Sequence, residues 1–291
     1  ENGMGCYSGS AIVKDDRLYI FYTGSSRELG QVQCMAYSDD GITFTKYMNN
    51  PIIATRPSDT GDDFRDPKVT LIGDTYHMVL GGGKNGMGKI LHYTSADLHN
   101  WVYAGVLYQD SCAPVFECPD FFPYGEGYVL MFSQIFVTQQ AMKIMYGSFD
   151  SLHFIPSAEA SPEYGPHFYA PQTFEDGSGR RILIAWLGNW DRKTDPDVSY
   201  AGAFTIPREL SVTDGTIRLY PVKEAQELLT DHDEMVEQWQ NIILVNGDNT
   251  GDTSVSIPCS DVRSLKILRD TKTIEVFVNA GEQSCTLWFG K

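Results

Sequence analysis

One local pattern recurs four times along the 291 residues. Its copies begin at Cys6-Tyr7-Ser8-Gly9-Ser10, Phe64-Arg65-Asp66-Pro67-Lys68, Glu117-Cys118-Pro119-Asp120-Phe121 and Phe168-Tyr169-Ala170-Pro171-Gln172. Each motif is followed by an apolar run: Leu18 to Tyr22, Tyr76 to Leu80, Tyr128 to Phe132 and Ile182 to Trp186. In the first three copies a strand-and-turn segment comes next, in which Ser38, Ser95 and Ser148 stand 57 and 53 residues apart. The segments are short and bounded by Gly, Asp and Asn, which is the signal of strands. Helix-length amphipathic stretches are nearly absent before residue 222. Several strands in each unit of about 40–55 residues are the mark of a β-propeller. Inner strands of a propeller face one axial channel, so equivalent residues of different copies converge there. Aligning Asp66 with Asp120 places Glu117 near the same rim as Asp66.

The pattern changes near Ile206-Pro207-Arg208-Glu209-Leu210. A short helix fits 222–229, with Glu224 and Glu227 on its outer side. Beyond it, Leu265 to Leu268 and Thr273 to Val278 predict paired strands, and Gly281 predicts a turn. The expected organisation is all-β: a propeller over 1–221, a linker helix over 222–229, and a β-sandwich module, short for its kind, over 230–291.

At 42% hydrophobic and 21% charged the chain has an ordinary globular composition. Its net charge of −16 argues against a nucleic-acid or anionic-membrane partner, which needs a basic face. No apolar run approaches the roughly 20 residues of a membrane helix. The six cysteines are scattered, with no Cys-x-x-Cys pair, and the six histidines show no metal-ligand spacing. No metal and no cofactor are expected. Free thiols in a reducing compartment fit a cytoplasmic chain. Gly83 to Lys89 has P-loop spacing, but Ile90 stands where Ser or Thr is needed and a strand pattern follows, which favours a glycine-rich hairpin.

Two carboxylates carry the chemical signal. Glycoside hydrolysis needs an acid that keeps its proton near neutrality and a second carboxylate across the scissile bond. Glu117 lies between Phe116 and Cys118 with Asp120 nearby, a setting that raises a carboxylic pKa. Asp66 lies between Arg65 and Lys68, cations that would hold it ionised and ready for vicinal sugar hydroxyls. Each also has a bland reading, since Asp-Pro on a strand commonly builds a turn or bulge. Tyr7, Tyr169, Trp186 and Trp190 could be sugar platforms or core.

Arg65-Asp66-Pro67, Glu117-Cys118-Pro119-Asp120 and Ser8-Gly9-Ser10-Ala11 resemble the motifs of glycoside hydrolase family 32, the invertases, sucrose-6-phosphate hydrolases, levanases and inulinases. Phe168 to Thr173, Ile206 to Leu210 and Ile274 to Asn279 match further family stretches in order. The resemblance implies a five-bladed propeller followed by a β-sandwich, and a retaining mechanism on β-fructofuranosides. It makes Glu117 the acid/base and Asp66 the transition-state stabiliser. Tyr7, Ser8, Arg65, Cys118, Tyr169 and one of Trp186 or Trp190 would line a pocket for a small carbohydrate.

One departure is large. The family nucleophile is the Asp of an Asn-Asp-Pro-Asn-Gly motif, and Asp66-Pro67 and Asp195-Pro196, the two Asp-Pro steps in this sequence, both lack the preceding Asn. The expectation is that most of a first blade is absent, and that a chain without the nucleophile has little hydrolase activity. The competing readings are a related five-bladed arabinanase or β-xylosidase and a non-catalytic sugar-binding propeller.

Overall fold

A computed structural model describes residues 3–137, 140–188, 202–247 and 254–289. The chain divides into two compact units, 1–136 with 145–157, and 137–144 with 158–291.

The first unit is built from consecutive strands that pair in chain order. β1 (Gly3–Lys14), β2 (Arg17–Ser26), β3 (Gly30–Ser38) and β4 (Thr45–Lys46) form one four-stranded sheet. β5 (Phe64–Ile72), β6 (Thr75–Lys84), β7 (Met87–Ser95) and β8 (Val102–Asp110) form the next. β9 (Phe116–Tyr124), β10 (Gly127–Gln134), β11 (Met142–Phe149) and β12 (Phe154–Ala160) form a third. The four-stranded meander is the propeller blade that the repeat predicts. The repeat pattern did not include the fourth strand of each sheet. β4 has two residues and β12 is mostly solvent-exposed, so neither carries an apolar run.

The recurring Ser and Asp after the third strand have a physical cause. Asp40 Oδ1 accepts the amides of Ile42 and Thr43 at 2.8 and 2.7 Å. Asp97 Oδ1 accepts those of His99 and Asn100, both at 2.8 Å. Asp150 Oδ1 does the same for Leu152 and His153. Such side chains satisfy turn amides that no strand can reach.

The first two sheets share a core of Phe21, Met35, Phe64, Met78, Leu80, Leu91 and Leu98. Where the second sheet meets the third, the Phe116 ring of β9, stacked on Phe132 of β10 with centroids 3.9 Å apart, covers Gly88 of β7. Glycines let the sheets approach here. A Cβ at Gly81 would stand 2.3 Å from the Phe116 carbonyl oxygen, and one at Gly83 would stand 2.0 Å from that of Pro114. Gly83 to Lys89 forms the expected hairpin, with Lys84 opposite Met87 and both Asn85 and Gly86 at positive φ, as a two-residue primed turn requires.

In the second unit, β13 (Tyr169–Glu175), β14 (Arg181–Leu187), β15 (Ala203–Phe204), β16 (Arg208–Thr213) and β17 (Thr216–Pro221) form one sheet, ordered β13-β14-β16-β17 with β15 on β14. The helix expected over 222–229 is a six-residue 3-10 turn, Lys223–Leu228. Val222 supplies no side-chain cap and the run is too short to repay α-helix nucleation. β18 (Val236–Trp239), β19 (Ile242–Asn246) and β20 (Ser254–Pro258) make one three-stranded sheet; β21 (Leu265–Arg269), β22 (Thr273–Val278) and β23 (Gln283–Trp288) make another. Ile243, Val245, Val255 and Ile257 of the first pack with Ile267, Ile274, Val276, Val278 and Leu287 of the second. That shared core makes the pair a β-sandwich.

Candidate active site

Each motif strand carries a bulge, and the bulges supply the true alignment of the repeat. Two residues of the inner strand oppose one of its partner between Cys6 and Gly9, Arg65 and Lys68, Glu117 and Asp120, and Tyr169 and Gln172. Arg65, Glu117 and Tyr169 are therefore equivalent, as are Asp66, Cys118 and Ala170. Asp66, Cys118 and Ala170 have φ of 63°, 47° and 52°, an uncommon conformation for residues with a side chain. The expected match of Asp66 with Asp120 is corrected: Asp66 matches Cys118, and Asp120 matches Lys68. A motif read by its carboxylates alone slips by two residues, because the proline, not the acid, marks the bulge.

Equivalent residues of the second and third sheets bond to one another. Arg65 Nε and Nη2 donate to Glu117 Oε1 at 2.9 and 2.7 Å. The Cys118 amide donates to Asp66 Oδ2 at 2.9 Å, and the Cys118 thiol donates to the same oxygen at 3.5 Å. Lys68 Nζ donates to Asp120 Oδ2 at 3.0 Å. Each of these pairs is separated by 52 residues. Asp66 and Glu117 are thus fixed on neighbouring inner strands, Asp66 buried and Glu117 half-buried.

The first sheet anchors the bulge. Where β5 leaves its ladder with β6, the Asp66 amide donates to Thr23 Oγ1 at 3.0 Å. Thr23 Oγ1 donates to Gln33 Oε1 at 2.8 Å, and Gln33 Nε2 donates to the Phe64 carbonyl at 2.8 Å. Gln31 Oε1 accepts the Phe64 amide at 2.7 Å, and Ser10 Oγ accepts the Val69 amide at 3.0 Å. Arg65 Nη1 also donates to Asp63 Oδ1 and, at 3.3 Å, to Gln31 Oε1. Sequence reasoning missed Thr23, Gln31, Gln33 and Asp63. Asp63 could have been suspected from its place two residues before Arg65; the other three look like ordinary strand residues.

The electrostatics differ from expectation. Burial pushes the Asp66 carboxyl up, and Glu117 adds to that, outweighing the Cys118 amide and the Arg65 guanidinium. The neighbouring cations do not offset that burial, because Arg65 donates to Glu117 and Asp63 while Lys68 donates to Asp120. Glu117 sits against a guanidinium instead of among apolar groups. Burial first, then the Asp66 and Glu117 charges, push the Cys118 thiol well above its ordinary range, so it stays a neutral donor. Ser8 hydrogen-bonds to Cys118, which brings the Ser-Gly-Ser motif to this cluster.

The remaining candidates divide. Tyr7 lies in the β1 bulge and is 39% exposed. In the second unit, Tyr169 pairs with Trp186 across β13 and β14. Tyr169 is buried; Trp186 is half-buried and lines a cleft of about 360 Å³ with Gln172, Phe174, Ile184 and Phe204. Trp190 lies outside the described residues. No group of three or more His, Cys, Asp or Glu able to hold a metal occurs among the described residues. No helix among them is long and apolar enough to cross a membrane.

Residues 1–221 match the glycosyl hydrolases family 32 N-terminal domain. A sucrose-6-phosphate hydrolase of Zymomonas mobilis is 34% identical over 253 residues, covering 77% of this chain and 49% of that one. The sucrose-6-phosphate hydrolase of Bacillus subtilis is 33% identical, covering 77% and 51%. The chain thus spans about half the length of these relatives. Among solved structures, a Bombyx mori GH32 beta-fructofuranosidase superposes with a TM-score of 0.84 at 25% identity, over 99% of this chain and 75% of that one; a mutant of it, solved in complex with sucrose, gives 0.85. The fructan 1-exohydrolase IIa of Cichorium intybus shares the fold, with a TM-score of 0.80 at 21% identity over 98% and 78%.

Proposed function

The chain belongs to glycosyl hydrolase family 32, and from that premise we propose that it forms the acid-bearing part of a β-fructofuranosidase acting on sucrose, sucrose 6-phosphate or a short fructan. In this reading Glu117 protonates the leaving oxygen and later activates water. Asp66 accepts hydrogen bonds from two vicinal hydroxyls of the fructosyl ring and strengthens them as oxocarbenium character develops. Arg65 holds Glu117 in place, and the neutral Cys118 thiol and amide aim Asp66. Tyr7, Ser8, Tyr169, Trp186 and Trp190 are the proposed sugar-lining residues.

The observation that carries the proposal is the bonded pair of bulges: Arg65 on Glu117 and Cys118 on Asp66. Two acids on inner strands, each oriented by the equivalent residue of the neighbouring sheet, make an arrangement that a merely structural Asp-Pro bulge does not need. Retention through a covalent fructosyl intermediate requires a third carboxylate as nucleophile. The Asn-Asp-Pro step that carries it in the family does not occur in the 291 residues. We therefore propose that these residues alone turn over slowly and that a polypeptide adding that motif is active. The 1–221 propeller and 230–291 sandwich belong to the same proposal, as does a cytoplasmic setting, supported by six cysteines that are not joined in disulfides.

Sucrose hydrolysis by both polypeptides tests it. Turnover only with the added motif, lost on Glu117→Gln, is the expected result. Rapid turnover by the 291 residues, or an indifferent Glu117→Gln, contradicts it.

A further inference from the structure

The Ile206 to Leu210 and Ile274 to Asn279 stretches stand out in the sequence, yet neither belongs to the acid cluster. They meet in the second unit. Arg208, on β16, is completely buried, and its guanidinium lies 4.8 Å from the ring centroids of both Phe168 and Phe277. Nη2 donates to Glu275 Oε2 and Thr286 Oγ1, both at 2.7 Å, and Nη1 donates to Glu163 Oε2 and Ser284 Oγ at 3.0 and 3.1 Å. Glu275, Ser284 and Thr286 come from the sandwich strands β22 and β23, beyond the segment that matches the family domain.

Glu275 has a second bond. Its Oε1 accepts the amide of Ile206 at 2.7 Å. Ile206 follows Thr205, which is zipped to Ala185 on β14 twice: the Thr205 amide donates to the Ala185 carbonyl at 3.0 Å, and the Ala185 amide donates to Thr205 Oγ1 at 3.2 Å. One residue further, Phe204 pairs with Trp186. Gly202 then runs so close to the indole that a Cβ there would stand 2.1 Å from Trp186 Nε1. A continuous path of five residues, 202–206, therefore joins the Glu275 carboxylate to the indole of Trp186.

We propose that Glu275 is a positioning residue for Trp186: the C-terminal sandwich, through one buried carboxylate, sets the edge strand that holds the indole. Where Trp186 contacts the sugar, which rests on the function proposed above, the sandwich also sets sugar affinity.

The test uses the 291-residue chain and the indole N–H resonances of its five tryptophans, with Trp186 assigned by Trp186→Phe. Glu275→Leu removes both bonds. Glu275→Gln, the milder variant should the first not fold, cannot accept from Ile206 and Arg208 at once. Both are expected to displace the Trp186 resonance, Gln less than Leu. Thr286→Val is the control: it removes the hydroxyl that accepts from Arg208 Nη2 and donates to Glu163 Oε2 but leaves both Glu275 oxygens and the Ile206 bond, so it should lower stability and leave Trp186 in place. An unmoved Trp186 resonance in folded Glu275→Gln overturns the inference, as does an equal displacement in Thr286→Val. Calorimetric titration with fructose and sucrose separates the two claims: a wild-type chain that binds neither removes the functional reading, while the positioning inference is decided by the indole alone.

Discussion

Asp66 Oδ2 accepts the amide of Cys118, a residue 52 positions later that occupies the same bulge of the next sheet. The repeat thus does more than count sheets. It makes the inner strands of the second and third sheets templates for each other, so an acid in one copy is aimed by the backbone of the following one. Both residues adopt positive φ, a conformation that costs of order 1–3 kcal/mol and persists only where surroundings enforce it.

Burial pushes Asp66 above its ordinary range, whereas two sugar hydroxyls donating to it would favour the ionised form. Binding should therefore be strong when Asp66 is ionised and weaken as pH falls through its raised pKa, at a pH above the ordinary carboxylate value of about 3.9. Calorimetric titration with fructose across pH checks this. Asp66→Asn should bind weakly at every pH, with the dependence gone.

Arg65 carries the charge of Glu117 and Asp63 together, with its own side chain only 10% exposed. Arg65→Met leaves two carboxylates facing each other without a counter-ion. A loss of about 3 kcal/mol in urea unfolding is expected, the usual cost of breaking a largely buried pair. Removal of Asp63 as well should restore part of it, which a double-mutant cycle would read out.

Gly81 is where β6 yields to β9. Gly81→Ala would press its methyl against the Phe116 carbonyl and push the Glu117 bulge away from Arg65. We expect about 2–3 kcal/mol of destabilisation, the upper range of overpacking. Sugar binding should weaken too. Gly86→Ala, at a turn with open space beside it, should cost stability through its positive φ alone and spare binding.

His77 Nδ1 and His92 Nε2 lie 2.8 Å apart with their rings stacked and Phe149 edge-on to both. Burial, with His77 adding to it, holds His92 down at about 4, and burial also lowers His77. The folded pair stays neutral where the unfolded chain, with histidine near 6.5, gains protons. Its stability contribution is complete above pH 6.5 and falls as pH drops toward 4, by about 3 kcal/mol from His92. Urea midpoints at pH 7 and 5 should differ less in His92→Gln than in the parent chain.

The sequence revealed much of this because propeller strands announce themselves. Leu18 to Tyr22 and Tyr128 to Phe132 are apolar runs between polar turns, and Asp40, Asp97 and Asp150 each end a third strand with the same turn chemistry. The outer strands stayed hidden because β12 faces solvent and β4 is two residues long. Asp66 and Glu117 were legible as a pair, but the wrong copies of the carboxylate were superposed, since a one-residue bulge leaves no mark in hydropathy. Arg208 was legible only as part of a motif. Its partners Glu163 and Glu275 lie 45 and 67 residues away, and no local pattern links them.

The proposed role of Glu117 as proton donor of a fructosidase is tested by the leaving group. The most direct measurement compares Glu117→Gln with the parent on sucrose and on p-nitrophenyl β-D-fructofuranoside, in the polypeptide that adds the Asn-Asp-Pro motif. Sucrose has a poor leaving group and needs the acid; nitrophenolate does not. A loss of about a hundredfold or more is expected on sucrose, and a far smaller loss of fructosylation rate on the nitrophenyl substrate. Equal losses on both substrates, or none on sucrose, would contradict that role.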